Sequence, residues 1–295
     1  MRVNPYPMPE LLAALNQTEL KAQQAALEIS TGKSVNVPSD DPSAAALLVD
    51  NNDQATFNAG FLHDLSAING QLSAADSTLS SVQTALRQAL SLGVEGGNGT
   101  LSDADRAAIV AQLQGIQSQV LALANSSYQG NYLFSGTIIG TAPYAVSGTD
   151  PSGVTYNGND GVNQVAVGNG YQLAINQPGS QLFSAQGNSV FQALNDLIVA
   201  VGSNTGVDTA VNEVDSAANY LSVQGVFYGN ALAQVQSQTT YLNSAKLQIS
   251  EQQNSLGAAD LSVAATDLSS AQTDTQAALA AISKFAGNTL FDYLR

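Results

Sequence analysis

The sequence predicts a mainly α protein: an elongated antiparallel helical bundle or coiled coil built from the N- and C-terminal halves, with a small β-rich insert domain between them. Three features point there. Residues in the first half repeat apolar side chains at alternating spacings of three and four. A central stretch loses that period and fills with glycines and alternating β-branched residues. The helical period then returns and dominates the rest of the chain.

The first helix is predicted over residues 8–29, where Met8, Leu11, Leu15, Thr18, Ala22, Ala25 and Ile29 form a narrow stripe. Gly32 supplies its stop. Residues 32–43 hold too many turn formers for a regular element, and Asp41-Pro42 fits an N-cap followed by proline at the first helical position. In the next helix Phe61, Leu65, Ile68, Leu72, Ala75, Leu79, Val82, Leu86 and Ala89 are apolar without exception. The glycine-rich run 93–99 is predicted to end it, and Thr100-Leu-Ser-Asp103 resembles a capping box for a third helix reaching about Tyr128. That helix carries Ile109, Leu113, Ile116, Val120 and Leu123 and should return antiparallel to the second.

At Gly130 the composition changes. Val162, Val165 and Val167, then Tyr171, Leu173 and Ile175, alternate around Gly168-Asn-Gly170 and read as a β-hairpin. Residues 131–187 are predicted to project outward as the insert. Helix resumes at 190–201. A long series then runs through Val207, Val211, Val214, Ala218, Leu221, Gly225, Tyr228, Leu232, Val235, Thr239, Leu242, Lys246 and Ile249. A helix over that series would be about 65 Å long, which suggests a rod. After an interruption at 255–257, a last helix carries Leu261, Ala264, Leu268, Ala271, Thr275, Ala278, Ile282 and Phe285 and is predicted to end at Gly287-Asn288. The implied organisation is 1–42 (terminal helix and loop), 43–130 (first half of the rod), 131–187 (insert), 188–256 (second half) and 257–295 (last helix).

Composition narrows the function. Of 295 residues, 44% are hydrophobic and only 11% charged, enough for a core and unlike a disordered chain. Asp and Glu outnumber Lys and Arg 23 to 8, for a net charge of -15, and the cations are scattered singly. That disfavours nucleic acid, whose binding needs clustered cations. There is no cysteine, and a single histidine, His63, offers no zinc site or Ser–His–Asp chemistry. Asp150 and Asp160 lack any calcium-loop spacing, and 93–99 lacks the Lys-Ser/Thr of a phosphate loop. No catalytic, cofactor or metal residue is predicted, and no cofactor. Residues 1–9 lack the apolar core of a cleaved signal peptide, and consecutive apolar runs fall far short of a bilayer span.

The terminal helices share one property: stripes rich in Ala and Thr, which bury little area. The two could pair with each other, since small side chains allow close approach, but each would keep a second face rich in Leu, Ser and Gln, so they are expected to become stable only when packed against copies or relatives of themselves. The expected subunit interface comprises Met8, Leu11, Leu15, Ala22, Ala25 and Ile29, and Leu261, Ala264, Leu268, Ala271, Ala278, Ile282, Phe285, Leu290, Phe291 and Leu294.

Four motifs occur in order: Glu28-Ile-Ser-Thr-Gly-Lys-Ser-Val-Asn-Val-Pro-Ser-Asp-Asp-Pro42, Gly130-Asn-Tyr-Leu-Phe-Ser-Gly-Thr137, Tyr156-Asn-Gly through Pro178-Gly-Ser-Gln-Leu-Phe183, and Leu290-Phe-Asp-Tyr-Leu294. With them the chain resembles the bacterial flagellin superfamily along essentially its whole length, and within it the branch that joins hook to filament. The resemblance implies a structural, non-enzymatic, extracellular part of the flagellum, exported without a cleaved signal peptide through the flagellar type III apparatus. It implies self-association in a ring, contact with flagellin and with the hook-side junction protein (hook-associated protein 1), and an export chaperone on the C-terminal helix. It implies neither nucleic-acid binding nor membrane insertion. The alternatives are a minor flagellin forming filament, a secreted coiled-coil effector, or an enzyme carried on the insert.

Overall fold

The computed structural model describes residues 8–150, 152–168 and 170–292, with side chains described as far as 284. Its elements run α1 (Met8–Thr31), α2 (Pro42–Gly96), α3 (Asp103–Ala124), β1 (Ser127–Tyr128), β2 (Asn131–Tyr132), β3 (Tyr144–Val146), β4 (Val154–Tyr156), β5 (Gln164–Gly168), β6 (Tyr171–Ala174), α4 (Gly179–Leu182), α5 (Val190–Ser203), α6 (Val207–Gly257) and α7 (Leu261–Asp292). The mainly helical architecture with small antiparallel strand pairs is the one predicted. Contacts group the chain into a terminal unit, Met1–Phe57 with Ser244–Arg295, and a central unit, Asn58–Asn243.

In the central unit, Leu65, Ile68, Leu72, Ala75, Leu79, Val82, Leu86 and Ala89 of α2 are all buried, and Phe61 packs half-buried against them. On α6 every seventh residue is buried: Val207, Val214, Leu221, Tyr228, Val235 and Leu242. The second buried row of α6 lies at the +3 positions Ala210, Ala217 and Ala231, while the expected +4 positions Val211, Ala218 and Leu232 are only half-buried. Alanine at +3 lets neighbouring backbones come closer than a branched side chain would.

The glycine run does end α2, but within the run and not at its first glycine. The helix continues to Gly96, because Gly93 and Gly96 are contact points. A Cβ on Gly93 would stand 2.8 Å from Val211 Cγ2 and 3.0 Å from Leu197 Cδ1, and one on Gly96 would stand 2.8 Å from Val201 Cγ2. The cap of α3 also differs. Ser102, not Thr100, accepts from the Asp105 amide (3.2 Å) and donates to Asp105 Oδ2 (2.7 Å), so the box is Ser102-Asp103-Ala104-Asp105. Arg106, one residue on, is buried and donates to the Gly96 carbonyl at 3.0 Å, placing a cation on the open carbonyl end of α2. Ser126 at the far end of α3 reaches Thr78 at 3.4 Å, so α3 does run antiparallel to α2.

By length and mean hydropathy, α3 is the one described helix that could cross a bilayer. Its large side chains Ile109, Leu113, Ile116 and Val120 are buried in the central unit, and much of the remaining hydropathy comes from exposed alanines such as Ala107, Ala108 and Ala111.

The insert is three two-stranded antiparallel ladders: β1–β2, β3–β4 and β5–β6. The hairpin predicted around 168–170 is β5–β6, with Gly168 opposite Tyr171. The β1–β2 turn, Gln129-Gly130, was not foreseen; both residues have positive φ (51° and 84°), which twists a two-residue loop the way antiparallel strands need. The insert does not stand apart from the helices. Phe134, Tyr144, Phe183 and Phe191 stack with centroids 4.9–6.3 Å apart inside the core that α2, α3, α5 and α6 share. Tyr171 donates to Gln234 of α6 at 2.7 Å, and Gln177 donates to Gln224 at 3.2 Å. Side-chain amides replace missing strand partners: Asn125 both accepts from the Tyr144 N–H (2.8 Å) and donates to its carbonyl (2.9 Å). Gly136 sits at φ 73° against Asn159, where a Cβ would overlap the Asn159 carbonyl oxygen, so the Phe-Ser-Gly turn requires glycine.

Candidate functional site on the paired terminal helices

The terminal unit is built from α1, the loop after it, the first turns of α2, the last turns of α6, and α7. Each aspartate of the Pro-Ser-Asp-Asp-Pro motif has a separate task. Asp41 accepts from the Ser43 and Ala44 amides, both at 2.9 Å, which are orphan donors of the α2 N-terminus. Asp40 folds back and accepts from the Asn36 and Val37 amides at 2.9 and 3.0 Å. The Val37 and Asn36 N–H groups hold its carboxyl below the ordinary carboxylate value. Pro42 then starts the helix, where no N–H is missed.

The loops that precede α2 and α7 meet each other. Lys33 and Ala258 form an antiparallel bridge, with the Ser34 N–H on the Gly257 carbonyl (2.8 Å) and the Ala259 N–H on the Gly32 carbonyl (3.0 Å). Asp260 caps α7 by accepting from the Ser262 and Val263 amides at 2.9 and 3.2 Å. This clip brings α1 and α7 together. Thr275 lies 3.4 Å from Thr18, and Ala25 and Ala271 border one groove further along, an antiparallel register.

The structure places the predicted interface residues as follows. Ala25, Ala264 and Ala271 are buried in the α1–α7 seam, and Met8, Leu11, Leu15, Ala22, Leu268, Ala278 and Ile282 are half-buried. Within one chain, then, the stripe is occupied by the pairing of α1 with α7, because small side chains let two helices approach closely. Ile29 and Leu261 stand outside that seam, exposed. The side chains of Phe285, Leu290, Phe291 and Leu294 lie outside the described residues, and α7 runs on through Gly287-Asn288 to Asp292 instead of stopping there.

Sequence reasoning missed Asn51, a buried polar side chain on α2 in this unit. It follows buried Ala44 by seven residues, so carrying the heptad count back from Leu65 would have found it.

The two units are sealed very differently. Among the described residues the terminal unit buries five apolar side chains, four of them alanine: Ala25, Ala44, Ala264 and Ala271, with Ile249. The central unit buries thirty-nine. Yet twelve of the exposed large apolar side chains belong to the terminal unit, against ten in the larger central unit. On α1 they are Leu12, Leu20, Leu27 and Ile29, and on α7 Leu261, Val263 and Leu279. At about 0.8 kcal/mol per buried carbon, four alanine methyls contribute only about 3 kcal/mol.

Among the described residues, the side chains weighed for chemistry each sit in local contacts of their own. His63 is exposed, 3.6 Å from the Asp64 carboxylate. Asp150 accepts from the Ser152 hydroxyl and amide of its own turn, and Asp160 accepts from Ser180. Among the described residues no group of acidic or histidine side chains could hold a metal ion.

Comparison with known proteins gives the decisive match. Residues 6–138 fit the model of the bacterial flagellin N-terminal helical region. The chain is 28% identical to flagellar hook-associated protein 3 of Escherichia coli over 90% of either protein. It is 33% identical to flagellar hook-associated protein 3 of Salmonella typhimurium, over 63% of this chain and 57% of that protein. Over residues 6–138 the chain is similar to bacterial flagellins. The fold of flagellar hook-associated protein-3 from Legionella pneumophila is similar, with a TM-score of 0.63 at 15% identity, over 70% of this chain and 98% of that one. The flagellin-type segment takes in α1, α2, α3 and the first hairpin, and ends one residue past the 130–137 motif. Two of the four motifs that suggested the superfamily therefore lie inside it.

Proposed function

We propose that this chain is a structural, non-enzymatic subunit of the bacterial flagellum that joins hook to filament. One observation carries the reading: a terminal unit whose buried apolar side chains are mostly alanine leaves twelve large apolar side chains exposed. Such a unit gains most of its possible apolar burial from neighbours. The hook-associated relatives fit a role between two assemblies.

In this reading the α1–α7 seam forms first within each chain. The outward residues Leu12, Leu20, Leu27, Ile29, Leu261, Val263 and Leu279 then pack against adjacent subunits, while the seam residues set the surface they stand on. Neighbouring copies complete a ring, with hook-associated protein 1 on one side and flagellin on the other. The chain reaches that position by type III export, its C-terminal helix held by a chaperone beforehand. Copies at -15 each repel one another, so lateral contact rests on faces supplied mostly by neutral, hydrogen-bonding Ser, Thr, Asn and Gln.

The test is deletion of the gene, followed by electron microscopy and assay of the culture medium. The expected result is intact hooks, no filaments, and flagellin lost to the medium. Normal filaments in that strain would refute the reading. In the complementing strain, Leu20→Asp with Leu27→Asp should restore secretion without restoring filaments.

A further inference from the structure

The turn between α2 and α3 holds an asparagine followed by glycine, Asn98-Gly99, both exposed. The Asn98 carboxamide is folded over its own backbone: its Oδ1 accepts from the Thr100 N–H at 3.1 Å and from the Thr100 hydroxyl at 2.9 Å. Two donors on one amide oxygen polarise the Cγ carbonyl. They favour the negative charge that oxygen gains when Cγ is attacked, as donors in an oxyanion hole do. The nearest backbone nucleophile is the Gly99 nitrogen. Nothing lies within 4 Å of where a Gly99 Cβ would stand, so the glycine peptide is free to close the ring.

We propose that Asn98 is a self-modifying site, at which the chain converts the asparagine to a mixture of aspartate and isoaspartate without an enzyme. The Gly99 nitrogen loses its proton and bonds to Asn98 Cγ. The tetrahedral carbon, its oxyanion held by the two Thr100 donors, expels the side-chain nitrogen, which leaves as ammonia with the proton it has gained. The cyclic imide that remains is opened by one solvent water at either carbonyl. Opening at one carbonyl gives aspartate. Opening at the other gives isoaspartate, whose backbone is one methylene longer. Either product puts a new carboxylate just beyond the α2 C-terminus, near the Gly96 carbonyl that Arg106 holds.

The other Asn-Gly pairs among the described residues are built against this chemistry. Asn69-Gly70 lies inside α2, where backbone N–H groups are committed to the helix, and the Tyr128 hydroxyl fills the space a Gly70 Cβ would take. Asn157-Gly158 sits in a crowded turn. There Gly158 is enclosed by the Tyr156 ring and the Ser135 carbonyl. Asn169, before Gly170, lies outside the described residues.

The test is incubation of the purified full-length chain at mildly alkaline pH, with peptide mapping by mass spectrometry and enzymatic isoaspartate labelling. Asn98 should convert faster than Asn69 and Asn157. Thr100→Ala removes the hydroxyl donor and should slow Asn98 by about 2- to 12-fold, the rate equivalent of one net hydrogen bond, whereas Thr100→Ser should leave it near the parent rate. Conversion of Asn69 or Asn157 as fast as Asn98, or a Thr100→Ala chain that converts at the parent rate, would overturn the proposal.

Discussion

Ala271→Leu is the sharpest perturbation of the terminal unit. Ala271 is 3% exposed and borders the same groove as Ala25, itself 5% exposed, across the α1–α7 seam. Leucine adds three carbons where two backbones approach over alanine, and forcing extra methylenes into a packed site costs about 1–3 kcal/mol. The unit has four buried alanines and one isoleucine to set against that cost, so the helix pair should open locally while the rest stays folded. Such a loss corresponds to about a 5- to 150-fold drop in amide protection. Hydrogen exchange read by mass spectrometry on the full-length chain is the assay. Peptides from 8–31 and 261–284 should lose that much protection, and peptides from 65–89 and 207–242 should keep theirs. If the terminal peptides are unchanged, the seam does not depend on close approach. If all four stretches fall together, the two units are not separately sealed. Either result refutes the reasoning.

Three further outcomes follow from local geometry. Gly93→Ala should lower the thermal midpoint, because its Cβ meets Val211 and Leu197, whereas Gly115→Ala on the open face of α3 should raise stability by about 1 kcal/mol, which circular dichroism melts of the pair would resolve. Asp41→Ala removes the acceptor for two amides and should weaken the α2 N-terminus by about 0.5–2 kcal/mol, read as faster exchange at Ser43 and Ala44. Burial holds the Tyr144 and Tyr228 hydroxyls well above the ordinary tyrosine value. The unfolded chain therefore loses those protons first, so stability is full below about pH 10 and falls above it by up to about 1.4 kcal/mol per pH unit for each tyrosine. An alkaline titration should show helix loss coinciding with the last part of the tyrosinate absorbance, and a Tyr228→Phe chain should fall less steeply; ionisation of all ten tyrosines while the helices stay intact would contradict this.

The helices were legible because burial repeats on the helical period. Each residue of the Leu65-to-Ala89 stripe went where its spacing said, and Asp41-Pro42 capped α2 as its chemistry required. The hairpin at 164–174 was legible for the same kind of reason, a two-residue period around a glycine turn. The misreadings involve residues whose role depends on distant partners. Gly93 and Gly96 carry turn chemistry in any local window, but Leu197, Val201 and Val211 make them packing sites a hundred residues away. Arg106 reads as one more scattered cation until the Gly96 carbonyl is beside it. The insert was expected to project outward because Phe134 and Tyr144 are far in sequence from Phe191 and Tyr228, which they join in one core.

The sequence alone determined the class of the fold, the helices and their stripes, the capping at Asp41 and the likeness to flagellar proteins, since all of these are written in local period, local chemistry or contiguous motifs. Tertiary structure decided what each stripe faces. Periodicity states that a face is apolar, and only the folded chain, by clipping Lys33 to Ala258 and laying α1 along α7, showed that the alanine face is used internally while Leu12, Leu20, Leu27 and Leu279 stay exposed.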